Sequence, residues 1–343
     1  MKALVLEQPN QLTYKDVPQP SPGPGEVLIQ VRACGICGSD VHGLDGSTGR
    51  RIPPLIMGHE AAGVIETVGP GVEDWRPGDR VTFDSTIYCG QCYYCLHGRI
   101  NLCDNRRVLG VSCEDYVQDG AFAEYVAVPQ HILYRLPDGL SFEHAAVVEA
   151  LSIAYHALQQ SRVGLGDSVC VIGNGMIGVL ITQLLPLAGC RHVIAVDLDE
   201  SRLAIARRLG ANQVLVPARD DVVSEALAAT AGRGLDVAFE VVGISDTLDL
   251  AVRSVCKGGQ VILVGNVAVE VRLPLQYAVT RELDLQASCA SRLEYPACLD
   301  LLARGTVDVD PIISAVAPLS EGAAWFARLQ NGEPGLMKVI LVP

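Results

Sequence analysis

The stretch Ser168-Val-Cys-Val-Ile-Gly173-Asn-Gly175-Met-Ile-Gly178 decides the architecture of this chain. Its first five residues are uncharged and mostly β-branched, as a strand buried on both faces requires. A G-x-G-x-x-G follows, and then an apolar run of helical length, Met176–Ala188. Strand, glycine turn and helix in that order open a βαβ unit. Asp197 stands 19 residues beyond Gly178, at the end of Ala195-Val196-Asp197. A dinucleotide-binding fold places its ribose-binding acid at about that distance. Gly173 would make the tight turn, and Gly175 would let backbone N–H groups approach a pyrophosphate at the helix N-terminus. Gly178 would let helix and strand pack closely. Met176 and Ile177 in the helix's first turn, with Asp197 and Arg202, complete the candidate cofactor contacts. A carboxylate at 197 repels a 2′-phosphate, so NAD is expected rather than NADP.

The stretch has a second possible reading. From Ser168 to Cys190 there are 23 residues without a charge, enough to span a bilayer. Gly173, Gly175, Gly178 and Pro186 interrupt the run, and a buried strand, turn and helix account for it better than a membrane span. Pro186 should kink or end its helix. The opening Met1-Lys2-Ala3-Leu4-Val5-Leu6-Glu7 has too short an apolar run for an export leader. The expected location is the cytoplasm.

Beyond the stretch, strand and helix alternate. His192–Val196 reads as a strand, Glu200–Leu209 as a helix, and Gly234–Val242 and Gly259–Val264 as further strands. Such alternation predicts a doubly wound parallel sheet. Before the stretch the character differs. Lys2–Leu6, Glu26–Ala33, Ala61–Val68, Arg80–Phe83 and Ala123–Val128 read as short strands. Gly69-Pro70-Gly71 and Pro77-Gly78-Asp79 punctuate them. Ser141–Ser161 has a helical pattern. The fold class is α/β, with a mostly-β domain over 1–150, a nucleotide-binding domain over 151–284 and a mixed C-terminal segment over 285–343. The 343 residues, 49% of them hydrophobic, are ample for two cores. A formal net charge of −13 repels phosphate backbones and anionic lipid, so neither nucleic acid nor a membrane is an expected partner.

Of the chain's 12 cysteines, Cys89, Cys92, Cys95 and Cys103 lie within fifteen residues, spaced C-x2-C-x2-C-x7-C. In a reducing compartment disulfides are disfavoured, and a redox motif uses two cysteines rather than four. Four thiolates in one loop suit a tetrahedral zinc with every position filled by protein sulfur. Such an ion shapes a loop and leaves no position for substrate.

A second candidate metal set is scattered. Cys37 and His42 lie in Cys34-Gly-Ile-Cys37-Gly-Ser39-Asp40-Val-His42, His59 and Glu60 in Gly58-His59-Glu60, and Glu149 in Val148-Glu149-Ala150. One thiolate, one imidazole and carboxylates could hold a catalytic zinc with a position left for water or substrate. Spacing alone does not join these segments.

A resemblance joins them. The chain resembles the zinc-dependent medium-chain alcohol and polyol dehydrogenases along essentially its whole length. The matching motifs are GICGSDVH (35–42), GHEAAG (58–63), the four-cysteine lobe (89–103), EALS (149–152) and VIGNGMIG (171–178). The resemblance implies a GroES-like first domain that the C-terminal segment returns to complete, a Rossmann second domain, and a cleft between them for catalytic zinc and nicotinamide. It implies two zinc ions per chain. Cys37 and His59 would be ligands of the reacting one, with Asp40 hydrogen-bonding His59 and fixing its tautomer. Glu60 and Glu149 both remain candidates for the third ligand, one binding directly and the other through water or by exchange. Ser39 would touch the substrate hydroxyl and His42 would carry its proton outward.

The implied reaction is oxidation of a polyol or sugar alcohol, phosphorylated or not, by NAD. Glu149 is shared with the sorbitol and threonine dehydrogenase branches, whereas the alcohol dehydrogenase branch has a cysteine there. Gly43 departs from the pattern, because sorbitol dehydrogenases typically carry an aromatic residue after the histidine. Arg50 and Arg51 read as a solvated surface pair, or else as a binding site for a substrate phosphate. Arg292 and Tyr295 fall where the family lines its substrate cleft or a subunit contact. A homo-oligomer is implied, a tetramer over a dimer. Two other readings are a threonine-type amino-alcohol dehydrogenase and a non-catalytic zinc or nucleotide sensor. No group to hold an amino acid stands out, and the Cys89–Cys103 lobe has one arginine and no lysine, so it offers nucleic acid little.

Overall fold

The strand Glu26–Gly35 organises the first of two units in the computed structural model, which describes residues 1–343. It pairs antiparallel with Glu60–Val68, Tyr125–Pro129 and Lys338–Val342. Its seven-stranded sheet runs Leu133–Arg135, Arg80–Phe83, Glu60–Val68, Glu26–Gly35, Lys338–Val342, Ile313–Pro318, with Tyr125–Pro129 also on Glu26–Gly35. A three-stranded sheet, Gln11–Asp16, Lys2–Gln8 and Leu55–Ile56, completes the β structure around it. The inward residues Leu4, Leu6, Ile29, Val31, Ile65, Phe83 and Phe122 form one core, which Phe326 joins edge-on to Phe122. Each fully buried side chain of this kind contributes roughly 1.5–3 kcal/mol.

This unit comprises Met1–Glu149 and Arg292–Pro343, and the second comprises Ala150–Ser291. The return to the first unit therefore begins at Arg292, later than the expected 285. Asp284–Ala287 explains the difference, because it pairs parallel with Val255–Leu263 as the edge strand of the second unit's sheet.

The second unit is a six-stranded, all-parallel sheet in the order Gln213–Leu215, His192–Val196, Ser168–Ile172, Leu235–Glu240, Val255–Leu263, Asp284–Ala287. The order reverses at Ser168–Ile172, the first strand, so the glycine turn after it opens at the switch point where such sheets bind ligands. All five residues of Ser168–Ile172 are buried, which is why the strand reads as an unbroken apolar run. The uncharged stretch is a strand followed by the helix Met176–Leu187, and Pro186 lies one residue from that helix's end. No helix is long and apolar enough to cross a membrane.

Candidate active site

The strand pairing brings the scattered metal candidates together. Gly35 stands opposite Glu60 in one register and opposite Ile340 in the other, so the segments carrying Cys37, Glu60 and Lys338 converge at one end of the sheet. Candidate ligand atoms of Cys37, His59 and Glu60 all lie within 4.8 Å of one another. Glu60 and His59 are buried, and Cys37 is half-buried. Lys338 Nζ donates to Glu60 Oε2 and, at 3.0 Å, to the Ile36 carbonyl. Gly35 makes room for this pair, since a Cβ there would stand 2.4 Å from Glu60 Oε2.

Glu149 is not among the ligand atoms that meet within 4.8 Å, though Glu60 and His59 act on it. It sits in the first turn of the helix Val148–Gln160, where the helix dipole favours a carboxylate. Ser85 Oγ donates to it at 3.2 Å. Burial, with Glu60 and Asp84 nearby, pushes the Glu149 carboxyl up to about 7 against the pull of His59.

Asp40 is wholly buried and faces His59, with Oδ1 at 3.5 Å from Nδ1. Burial alone would raise its pKa, but His59 and Arg51 hold the carboxyl well below the usual range. Burial alone would likewise lower the His59 pKa, and Asp40 and Cys37 more than reverse it. A half-buried thiol beside a buried imidazole and carboxylate is a donor set that fits a divalent cation. Ser39 is exposed and donates to Cys37 Sγ at 3.3 Å, and His42 lies on the same short helix, Gly38–Gly43, with its side chain exposed.

Arg51 was expected in solvent or on a phosphate, and it does neither. It is 4% exposed, and its Nη2 donates to Asp40 Oδ1 at 2.7 Å. Arg50 remains exposed. Tyr295 is fully buried and stacks on Tyr134 at 4.8 Å, so it is a packing residue of the first unit, while Arg292 is half-buried.

The four-cysteine lobe is equally well gathered. The sulfurs of Cys89, Cys92, Cys95 and Cys103 lie within 4.8 Å of one another. Cys92 caps the one-turn helix Tyr93–Leu96, and Gly90 and Gly98 turn the chain at φ 73° and 71°. The Gln91 backbone N–H, the Asn105 amide and the Cys92 N–H pull the Cys89 thiol down to about 6. Backbone donors also lower the Cys92 thiol, whereas burial raises those of Cys95 and Cys103, so the four differ in how readily they give up a proton to a metal.

In the second unit Gly173 adopts φ 90°, and a Cβ on Gly178 would fall 1.8 Å from the Gly173 carbonyl oxygen. Both glycines are therefore required. Gly175 caps the helix Met176–Leu187, and no atom lies within 4 Å of the place its Cβ would take. Met176 and Ile177 follow in the first turn, half-buried. Asp197 Oδ2 accepts the Asn174 N–H at 2.6 Å and Oδ1 accepts the Asp199 N–H at 2.9 Å, which ties the second strand's end to the glycine turn. Asn174, missed in the sequence, clamps both strand ends through the carbonyls of Val171 and Val196, at 3.0 and 3.1 Å. Arg202 is part-exposed beside Asp199 at 3.7 Å. The turn, the open helix end and the anchored acid fit a dinucleotide.

Residues 23–138 match the family model "Alcohol dehydrogenase GroES-like domain", and residues 177–304 match "Zinc-binding dehydrogenase". The chain is 32% identical to sorbitol dehydrogenase of Bacillus subtilis, over 100% of this chain and 97% of that one. It is 36% identical to L-idonate 5-dehydrogenase of Vitis vinifera, over 86% of this chain and 81% of the other. The crystal structure of a zinc-binding dehydrogenase from Sinorhizobium meliloti bound to NADP superposes with a TM-score of 0.91, at 34% identity, covering 100% of this chain and 99% of that one. The chain belongs to the zinc-dependent medium-chain alcohol and polyol dehydrogenases, and is an oxidoreductase of that family.

Proposed function

We propose that this enzyme oxidises a secondary hydroxyl of a polyol or sugar alcohol to the ketone, with NAD as hydride acceptor. The observation that carries this reading is the cluster of Cys37, His59 and Glu60, whose ligand atoms lie within 4.8 Å beside the exposed hydroxyl of Ser39. These three residues would hold the reacting zinc, and Glu149, bound to Ser85, is the carboxylate held in reserve. When bound, zinc supplies Lewis acidity toward an alcohol oxygen, and NAD supplies the hydride acceptor. Asp40 faces His59 Nδ1, which leaves Nε2 for the metal. Ser39 Oγ takes the hydroxyl proton, and His42, exposed on the same short helix, passes it to solvent. The carbon then gives up its hydride as the carbonyl forms.

In the second unit, the N–H groups at the start of Met176–Leu187 would receive the pyrophosphate, and Asp197 would accept from the ribose hydroxyls, with Arg202 nearby. A carboxylate there selects NAD over NADP. The four-cysteine lobe would hold a second, structural zinc. Relatives named for sorbitol and idonate support the polyol class. With Arg51 spent on Asp40, an unphosphorylated polyol fits better than a phosphate ester. The cytoplasm is the proposed location, and a homotetramer is the proposed assembly by analogy with the polyol branch.

The test is NADH absorbance with NAD and a panel of sorbitol, xylitol, galactitol, their phosphates, L-threonine and simple alcohols. Reduction with a free polyol that a zinc chelator abolishes is the expected result. Turnover confined to L-threonine, or none in protein carrying two zinc ions, would overturn the polyol assignment.

A further inference from the structure

Gly43 and Arg51 depart from expectation together, and one contact links them. Arg51 lies in a loop of polar and small residues, yet its guanidinium is buried and points at the metal cluster. Its backbone is held by a bridge to Ser112, with the Ile52 N–H on the Ser112 carbonyl at 3.1 Å. From there Nε and Nη2 reach Asp40 Oδ1 at 3.3 and 2.7 Å, Nη2 also reaches Ser39 Oγ at 3.4 Å, and Nη1 donates to the Arg50 carbonyl at 3.0 Å. One planar fork thus touches both the carboxylate that faces His59 and the hydroxyl proposed to take the substrate proton. A lysine could not span these acceptors with fixed geometry.

The arginine stem needs space, and Gly43 provides it. A Cβ on Gly43 would lie 2.5 Å from Arg51 Cγ and 3.4 Å from its Cβ. These are atoms at the base of a buried side chain, not a flexible tip. Gly43 does not adopt a left-handed φ, so packing rather than backbone conformation calls for glycine there. Any side chain at 43, an aromatic one above all, excludes Arg51 from its present place.

We propose that Arg51 is a positioning residue for the reaction. It fixes Asp40, and through it His59, and it aims Ser39 Oγ, while Gly43 is glycine so that Arg51 can do so. The inference rests on the zinc-site reading above.

The test compares wild type, Arg51→Met, Arg51→Lys, Gly43→Ala and the double variant Gly43→Ala/Arg51→Met. Three quantities are read: kcat with the best alcohol, thermal stability, and visible absorption of the cobalt-substituted protein. The cysteine lobe contributes equally to every cobalt spectrum and cancels in difference spectra. Arg51→Met and Gly43→Ala should each lower kcat about 10-fold or more and shift the cobalt bands, because groups that orient metal ligands have effects of that size. Arg51→Lys should recover part of the loss. The double variant should be no worse than the worse single one, as expected of two residues acting through one contact. Wild-type kcat and cobalt bands in Arg51→Met, even with a lower melting temperature, would overturn the positioning role. Multiplying losses in the double variant would overturn the Gly43–Arg51 coupling. If the wild-type cobalt spectrum equals that of Cys37→Ser, the zinc-site reading itself fails, and that failure is distinct from the other two.

Discussion

Lys338 Nζ donates to Glu60 Oε2 across 278 residues of sequence, and the two side chains are only 2% and 1% exposed. Removing one member of a buried pair leaves the other charge without compensation, at a cost of roughly 3–5 kcal/mol. Lys338→Met should therefore destabilise the first unit by about that amount. In zinc-free protein, where no cation can take the place of Lys338, the loss should be greatest. Denaturant melts of zinc-free and zinc-loaded protein check this. A change below about 1 kcal/mol in both forms would mean that water already screens Glu60.

The two cysteine clusters should behave independently. Cys37→Ala should remove one zinc and the activity yet keep the fold. Cys95→Ala should remove the other zinc and loosen the loop from Cys89 to Cys103. Zinc content by atomic emission, with circular dichroism, distinguishes them, and loss of the same ion in both variants would refute two separate sites.

On the proposed reading, Asp197 would govern the choice of dinucleotide through its charge. Asp197→Asn keeps the shape and an acceptor but removes the repulsion of a 2′-phosphate, so the ratio of kcat/KM for NAD to that for NADP should fall by at least 10-fold. Because the side chain also anchors the Asn174 N–H, some loss with NAD is expected too. An unchanged ratio would show that Asp197 serves only the turn.

Stability should decline in alkali through buried thiols. Burial pushes the Cys170 thiol up to about 12 and also raises that of Cys298. Unfolded, these thiols ionise near pH 8.5. Between those values the unfolded chain holds fewer protons than the native one, so stability falls as pH rises. It is fully present below about pH 8.5 and lost toward pH 12, by up to ~1.4 kcal/mol per pH unit for each thiol. Cys170→Ala should flatten the decline of the denaturant midpoint between pH 8 and 11. Parallel curves for variant and wild type would show that Cys170 does not contribute.

Where local pattern suffices, the sequence is readable. Arg80–Phe83, Ser168–Ile172 and His192–Val196 have the bounds their apolar runs announce. Ser141–Ser161 reads as one helix but is two, Phe142–Ala145 and Val148–Gln160, because no glycine or proline marks the break. Val255–Leu263 begins four residues before Gly259, where the sequence pattern starts the strand. The site follows the same rule. Cysteine and glycine motifs show themselves by spacing. The partners of Asp40 and Glu60, Arg51 and Lys338, do not, since each is a cation whose burial depends on a strand or loop brought from elsewhere. A buried arginine and a solvated one look alike in a loop until the acceptor is in place.

The strand Lys338–Val342 lies in the sheet between Glu26–Gly35 and Ile313–Pro318. During synthesis a ribosome must translate the whole of residues 150–291 before that strand exists. The Rossmann unit can fold on the growing chain, while the first unit, begun earlier, waits with an unzipped sheet edge. Its Cys37, His59 and Glu60 then remain without Lys338, and zinc captured early would meet a half-built pocket. On the proposed reading, metal loading at that pocket would be tied to the end of translation, and a ribosome stalled before residue 338 would yield a chain able to grip nucleotide but unable to turn over.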